Sequence, residues 1–519
     1  MKSFLSCFGQ LISLVLSGFD RLRFRGLSRR LNNERGVDSY LYQHKIRYTD
    51  FPAHAESLTK TLCRQTEILA QQEDIPVQHL NSPSIDKEAR ALELARLTQR
   101  TSGRVALLTC VESCSVYRLR KNNIGYIKPV QEPGKCLHYY HYFLHAELGL
   151  CYVRVQSWFP FAIRVGMNGR QWLYRQLEER GVPFQRRNNL LLSVGDPALA
   201  QKLLDDQRRA DWPMLLGTLV RPLHPLWDYL HGAAGTPYYW MTEQSEWATD
   251  FLFHSPSDLA KWYPTWIKYG IETLQCRDVL RYLGKKVTSQ GHVLSHEEVK
   301  IDLRQRPEGT RLKFWHGTNS LKIYDKEAHA LRLETTINQP QGYKVFRAKE
   351  GQDDDAPKSW QIMRKGVADL DRRAEVSHAA NNRLAESLAT VAQTTTLGEL
   401  LRPLGQPVIE QGIHKARALN PLAGKDRLLL QALAQGGFLL NGFRNRDIRA
   451  LLYGQPSSDE QRHRQAAQVT RQLALLRAHG LVVKVPKTHR YQLSASGRRI
   501  VAVILAADAT AITRLTESA

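Results

Sequence analysis

Residues Gln465–Leu481 read QAAQVTRQLALLRAHGL. Ala466, Val469, Leu473 and Leu476 recur at spacings of three and four, which places them on one face of a helix. Gly480 then ends that helix as a glycine just past a C-terminus does. Leu481–Val485 follows as a run rich in β-branched residues. A turn containing Pro486, Lys487 and Thr488 leads to a returning strand, Arg490–Leu493, and Ser494–Gly497 opens a last apolar helix. Upstream, Leu428–Leu433 and Asn445–Leu452 predict two shorter helices.

The stretch His479–Arg499, HGLVVKVPKTHRYQLSASGRR, resembles the recognition-helix-to-wing passage of bacterial winged helix-turn-helix proteins, over roughly residues 425–505. The resemblance implies DNA binding. It assigns Gln465, Gln468, Thr470, Arg471 and Gln472 to the groove-facing side of the recognition helix, and Lys484, Lys487, His489 and Arg490 to the wing. The local charge agrees, with fourteen Lys and Arg against four Asp and Glu between residues 425 and 500. Such a stripe neutralises phosphates and releases counterions, and Gln and Arg suit base edges in the major groove. RNA and protein contacts are the other uses of such a module.

The whole chain is basic. Its 519 residues carry 73 Lys and Arg against 50 Asp and Glu, a formal charge of +23, so a phosphate-rich partner is expected and a membrane is not. A hydrophobic fraction of 42% and ten Trp belong to a folded chain with a substantial core. The seven cysteines are odd in number and scattered, which suits ordinary thiols in a reducing, cytoplasmic setting. Cys110 and Cys114 have no second Cys/His pair at a zinc-ribbon distance, although Cys136 and His138 are near each other. Phe4–Phe19 reads as an amphipathic first helix or a flexible start; most of the positive charge follows the apolar segment, which disfavours a secretory leader.

The expected fold class is α+β: a helical N-terminal region (1–100), a basic core of mixed antiparallel sheet and helix (101–345), a helical linker region (346–424) and the winged helix (425–519). Ser84 is the expected cap of a helix Ile85–Thr98. Strands are expected at Val105–Thr109, Cys114–Leu119, Leu137–Leu144, Cys151–Ser157 and Ala162–Gly166, with helices at Gln171–Arg180, Ala198–Arg209 and Glu243–Phe253.

Three short strands, Arg311–His316, Leu321–Asp325 and Leu331–Ile337, offer the most suggestive chemistry. Alternation places Lys322 and Tyr324 on one face of the second and Arg332 and Glu334 on one face of the third. A tyrosine hydroxyl can attack a phosphodiester, cations can stabilise the charge that develops, and a carboxylate can hold a divalent ion. The stretches NSLKIYDK (Asn319–Lys326) and LRLE (Leu331–Glu334) are similar to part of the rolling-circle replication initiators of phages and plasmids, although their histidine–apolar–histidine metal motif is missing here. The plainer reading is a salt-bridged sheet face. On a helix opened by Thr242, Glu243, Glu246 and Asp250 would share one face and bind Mg²⁺ with Glu298 or Asp302, or pair with nearby cations. Tyr139, Tyr140, Tyr142, Trp158, Phe159, Phe161 and Trp172 lie near Arg154, Arg164 and Arg170, a composition suited either to stacking on unpaired bases or to core packing. Phosphate loops, dinucleotide fingerprints and nucleophile elbows are missing. The functional expectation is a nucleic-acid-binding protein of a mobile element or plasmid, a replication initiator or transposition factor with DNA-nicking or strand-transfer activity. The alternative is a non-enzymatic transcriptional regulator or an RNA-binding protein.

Overall fold

The computed structural model describes residues 1–121, 125–274, 276–284, 299–348, 356–392, 397–410, 413–434, 438, 442–485 and 488–509. The architecture is α+β. Eleven strands form one sheet, and the chain divides into two compact units. The larger comprises Gln10–Tyr263 and Ile301–Asn382. The other takes Met1–Gly9, the segment from Pro264 to Lys300 and the chain from Arg383 onward.

In chain order the strands of the larger unit are β1 Ile12–Ser28, β2 Val77–Leu80, β3 Gly103–Lys121, β4 Ile127–His145, β5 Gly149–Gln156, β6 Ile163–Asn168, the hairpin β7 Phe184–Arg187 and β8 Leu190–Val194, β9 Tyr238–Phe253, β10 Val299–Arg306, β11 Gly309–His316, β12 Asn319–Lys326 and β13 Ala330–Ile337, then the ribbon β14 Lys344–Arg347 and β15 Ser359–Ile362. The sheet runs β10-β11-β12-β13-β9-β1-β6-β5-β4-β3-β2. Only β2–β3 is parallel among the pairings described.

Residues 12–28, expected within a helical N-terminal region, form the central strand β1. Lys2–Phe8 is a short helix, and β1 pairs with β9 on one side and β6 on the other. Helices Glu34–Gln43, Phe51–Gln72 and Lys87–Leu97 and the edge strand β2 make up most of the rest of that region. The cap of the third is Asp86, not Ser84: its carboxylate accepts from the amides of Glu88 and Ala89. The two strands expected within 105–119 are one strand, β3, paired without a break from Ala106 to Lys121 with β4.

The segment Glu243–Phe253 is strand, not helix. It forms most of β9, whose last nine residues are all buried. Apolar packing around Trp247 covers one face of this stretch and the ion pairs of Asp250 occupy the other, so its sequence shows no clean alternation. The three-and-four spacing of its carboxylates therefore mimicked a helix.

One face of the sheet is apolar. Phe19, Leu22 and Phe24 of β1 pack there with Val153, Ile163, Val165 and Trp247, under Tyr40, Leu62 and Trp212 from the covering helices. Tyr139, Phe159 and Phe161 belong to this core, and Tyr140 and Tyr142 to a second one, so these aromatics serve packing.

Two histidines are built into the interior as neutral rings. Burial, and then the nearby Arg104, hold His141 down at about 3. Burial holds His224 at about 4; its Nδ1 accepts from the Leu226 amide. An unfolded chain takes up these protons near the ordinary value of about 6.5, so below that pH the unfolded state binds more protons and stability falls. Urea midpoints measured at pH 7.5 and pH 5 should therefore drop toward acid, by about 2 kcal/mol of stability per histidine. His224→Gln should flatten part of that slope.

Candidate functional sites

The other face of β1, β9, β12 and β13 is charged. Register sets Lys322 opposite Glu334 and Tyr324 opposite Arg332 across β12–β13, so the four residues proposed from alternation do share one surface. β13 in turn sets Arg332 opposite Asp250 of β9. The Arg332 guanidinium is fully buried and grips Asp250 with two bonds, Nε to Oδ1 at 2.6 Å and Nη2 to Oδ2 at 3.0 Å. Its Nη1 reaches Asp20 Oδ1 at 2.8 Å, and Nη2 donates to the Asn189 carbonyl at 3.2 Å. Asp250 also accepts from Arg170 at 2.9 Å.

Arg170 is delivered by the helix Gly169–Glu179. Asn168 caps that helix through the Arg170 amide, and a Cβ on Gly169 would lie 2.3 Å from the Phe19 carbonyl oxygen, so glycine permits the helix to start against β1. Beside this cluster Lys322 bonds to Glu334 and stands 3.6 Å from Glu246.

Desolvation opposes every charge here, and the partners decide the outcome. Burial pulls Arg332 down, but Asp250 and Asp20 more than reverse it, so the group is held well above its ordinary range. Burial pushes Asp20 up, and Arg332 and Arg170 bring it below the usual carboxylate value. Burial lifts Glu334 against the pull of Lys322.

Three of the proposed catalytic residues, Lys322, Arg332 and Glu334, are therefore fixed inside an ion network. Tyr324 is placed differently. Its hydroxyl is close enough to Glu308 for the carboxylate to act on it, and burial followed by Glu308 raises it above the ordinary phenol value. Glu308 lines a cavity of about 780 Å³, together with Arg21, Arg175, Arg186 and Lys326. That volume suits a nucleotide-sized ligand.

The carboxylates expected to form a Mg²⁺ site do not come together, because a strand separates what a helix would align. Glu243 pairs with Arg164 at 2.6 Å, Asp250 lies between Arg170 and Arg332, and Glu246 sits near Lys322. Asp302 pairs with Arg304 and Arg311, and Glu298 lies outside the described residues. The set that does converge is Asp20, Glu246 and Glu334, whose oxygens lie within 4.8 Å of one another. Oxygen ligands suit Mg²⁺, but the Lys322 ammonium, with Arg332, already balances this charge.

The second site lies in the other unit, among β18 Phe443–Arg444, β19 Val482–Lys484 and β20 Arg490–Leu493, which pair in the order β18-β20-β19. (A further ribbon, β16 Val408–Glu410 with β17 Ile413–Ala416, precedes it.) The helices Gly424–Leu433, Asn445–Tyr453, Asp459–Ala478 and Ala495–Ala509 surround a core of Leu429, Leu433, Ile448, Val469, Leu473, Leu476, Leu493 and Ile500.

The helix begins six residues before Gln465, where the Ser458 hydroxyl accepts from the Gln461 amide and Asp459 and Glu460 occupy the first turn. Gly480 ends it with φ of 70°, as the sequence predicts, and the Leu481 amide returns to the Leu476 carbonyl at 2.9 Å. Asn445 ties two helices together: its Nδ2 donates to the Ala466 carbonyl at 2.8 Å and to Thr470 Oγ1 at 2.9 Å.

Of the residues assigned to a groove-facing surface, Thr470 and Arg471 are exposed, and Gln468 and Gln472 are half-buried. Gln465 is buried on the inner side, one turn before Val469, and does not face outward. Lys484 and His489 are exposed, Arg490 is half-buried, and Lys487 lies outside the described residues. Arg446, Arg462, Arg464 and Arg477 are also exposed and were missed; the earlier helix start brings Arg462 and Arg464 onto the same rod.

No helix among the described residues is long and apolar enough to cross a membrane. No family model matches the chain, and no curated protein or solved structure is detectably similar to it.

Truncating one member of a buried ion network strands the others in a poor solvent. Arg332→Met should lower unfolding stability in urea by about 3–5 kcal/mol. Arg471→Ala, at an exposed position, should change it by less than about 0.5 kcal/mol.

Proposed function

We propose that the protein binds nucleic acid, and that the unit containing β18–β20 reads duplex DNA. In this reading Asp459–Ala478 enters the major groove and the β19–β20 turn lies along the phosphates. The observation that carries it is the combination of Asn445 clamping Ala466 and Thr470 with Arg471 standing exposed, opposite the ridge Val469, Leu473 and Leu476 that holds the helix to its core. A rigidly held helix with outward cations satisfies the geometric need of groove recognition, and Lys484 and His489 supply contacts of a kind that fix register on the backbone.

The test is anisotropy titration of the full chain with duplex DNA from a selected pool. Arg471→Ala should weaken binding and relax preference at one base pair by about 1–3 kcal/mol. Lys484→Ala should weaken all sequences alike and reduce the salt slope by about one. Unchanged binding in both variants overturns the reading. Binding to RNA duplexes in preference to DNA favours the RNA alternative.

A second reading is supported by Tyr324, whose hydroxyl lies near Glu308 at the border of a cavity lined by Arg21, Arg175, Arg186 and Lys326 as well as by Glu88, Glu308 and Glu327. Here the phenol proton passes to Glu308 as Tyr324 attacks a phosphodiester; a tyrosyl–phosphate bond forms, the bond from phosphorus to one sugar oxygen breaks, and that oxygen leaves and takes up a proton from solvent, the chemistry of a DNA-nicking initiator of a mobile element. Incubation with labelled single-stranded DNA and Mg²⁺ should give a covalent adduct that Tyr324→Phe abolishes. Absence of any adduct or nick leaves the regulator.

A further inference from the structure

The pairing of β3 with β4 creates a cluster that its sequence spacing conceals. Cys114 lies opposite Gly134, and Cys136 lies two residues further along β4, opposite Glu112. Side chains two apart on a strand share a face, so Cys114, Cys136 and His138 all project to the same side. The two sulfurs are 3.4 Å apart. The sulfurs and one ring nitrogen of His138 all fall within 4.8 Å of one another. Both cysteines are partly accessible, while His138 is fully buried.

We infer that Cys114, Cys136 and His138 form a binding site for a thiophilic divalent cation of the Zn²⁺ class. Zn²⁺ sits about 2.3 Å from a thiolate sulfur, so tetrahedral geometry sets two sulfurs about 3.8 Å apart. The pair needs to open by only a few tenths of an ångström. A disulfide asks for more. Diagonal positions on neighbouring antiparallel strands have Cα atoms about 7–8 Å apart, at or beyond the reach of an S–S bridge.

The histidine is prepared in the way metal-bound histidines commonly are. Its Nε2 lies 2.6 Å from Arg154 Nη2, which can only donate, so Nε2 carries the lone pair and Nδ1 the proton. Nδ1 donates to the Cys136 carbonyl at 3.1 Å, which fixes the ring. Burial, followed by Arg154, holds the ring far below its usual value, at about 3, so it is neutral as a ligand must be.

Binding exchanges Arg154 for the cation at Nε2. The guanidinium keeps a partner, because its Nε is already 3.6 Å from Glu112. Both thiol protons leave to solvent as the two sulfur–metal bonds form. Three protein ligands leave a fourth position for water or a donor from a partner.

The experiment is a Co²⁺ titration of the reduced, chelator-treated full chain. One equivalent should bind with thiolate-to-metal charge-transfer absorption and the visible bands of a tetrahedral ion. Cys114→Ser and Cys136→Ser should each remove or strongly reduce the charge-transfer band, and His138→Asn should weaken affinity by about tenfold or more. Cys110→Ser should leave the spectrum unchanged. Absence of the charge-transfer band in the parent, or its persistence in a Cys114→Ser/Cys136→Ser double variant, overturns the assignment. Should the variants fail to fold, alkylation of the parent decides: Zn²⁺ should protect Cys114 and Cys136, read by peptide mass, while exposed Cys7 reacts as before. Equal alkylation with and without Zn²⁺ refutes the site.

Discussion

A guanidinium buried at the centre of a sheet admits few arrangements. Arg332 exposes about 1% of its surface, and an unpaired charge at that depth would cost several kcal/mol. It must be answered by Asp250 and Asp20, which lie on different strands, β9 and β1. Those strands must pair so that both carboxylates reach it, and Arg170, bonded to Asp250, must come from a helix packed against β1. One side chain thus constrains the register of three strands and the seat of one helix. Across β1, β9 and β13 it sets an ion-bearing face against an apolar one that buries Phe19 and Trp247.

The same constraint decides what the positive charge is available for. In the sheet and the helix Gly169–Glu179 packed on it, Arg164, Arg170, Arg332 and Lys322 face carboxylates within 4 Å, and their field is largely spent internally. In the unit containing β18–β20, Arg471, Arg477 and Lys484 are exposed. Cations of that second kind gain free energy by releasing counterions from a polyanion; those of the first kind would have to break an ion pair to do so. The formal excess of +23 is therefore a poor guide by itself to where a phosphate backbone would be held.

Much of this was legible wherever a local rule governed the outcome. Alternation in Arg311–Ile337 predicted three strands and their charged face, and Gly480 the end of the helix before β19. What failed was non-local. Asp20 and Arg332 are 312 residues apart, and nothing in either neighbourhood announces the other. Glu246 and Asp250 keep a helical spacing in a strand buried on both sides, so the period that usually separates the two structures carried no information there. The resemblance alone assigns Gln465 outward; the residue lies one turn before Val469, on the buried row Gln465, Val469, Leu473 and Leu476. Cys114 and Cys136 are too far apart in sequence for a metal-motif spacing, and only the β3–β4 register joins them.

The central proposal is a division of labour: Arg164, Arg170, Arg332 and Lys322 are spent on carboxylates of the larger unit, and the unit around Asp459–Ala478 presents exposed cations to a partner. Arginine- and lysine-selective chemical modification of the full chain, mapped by peptide mass with and without duplex DNA, tests it most directly. The account predicts that DNA protects Arg471, Arg477 and Lys484 and leaves the slow modification of Arg170 and Lys322 unchanged. Protection confined to residues of the sheet, with Arg471 and Lys484 modified as fast as in the DNA-free protein, would contradict it.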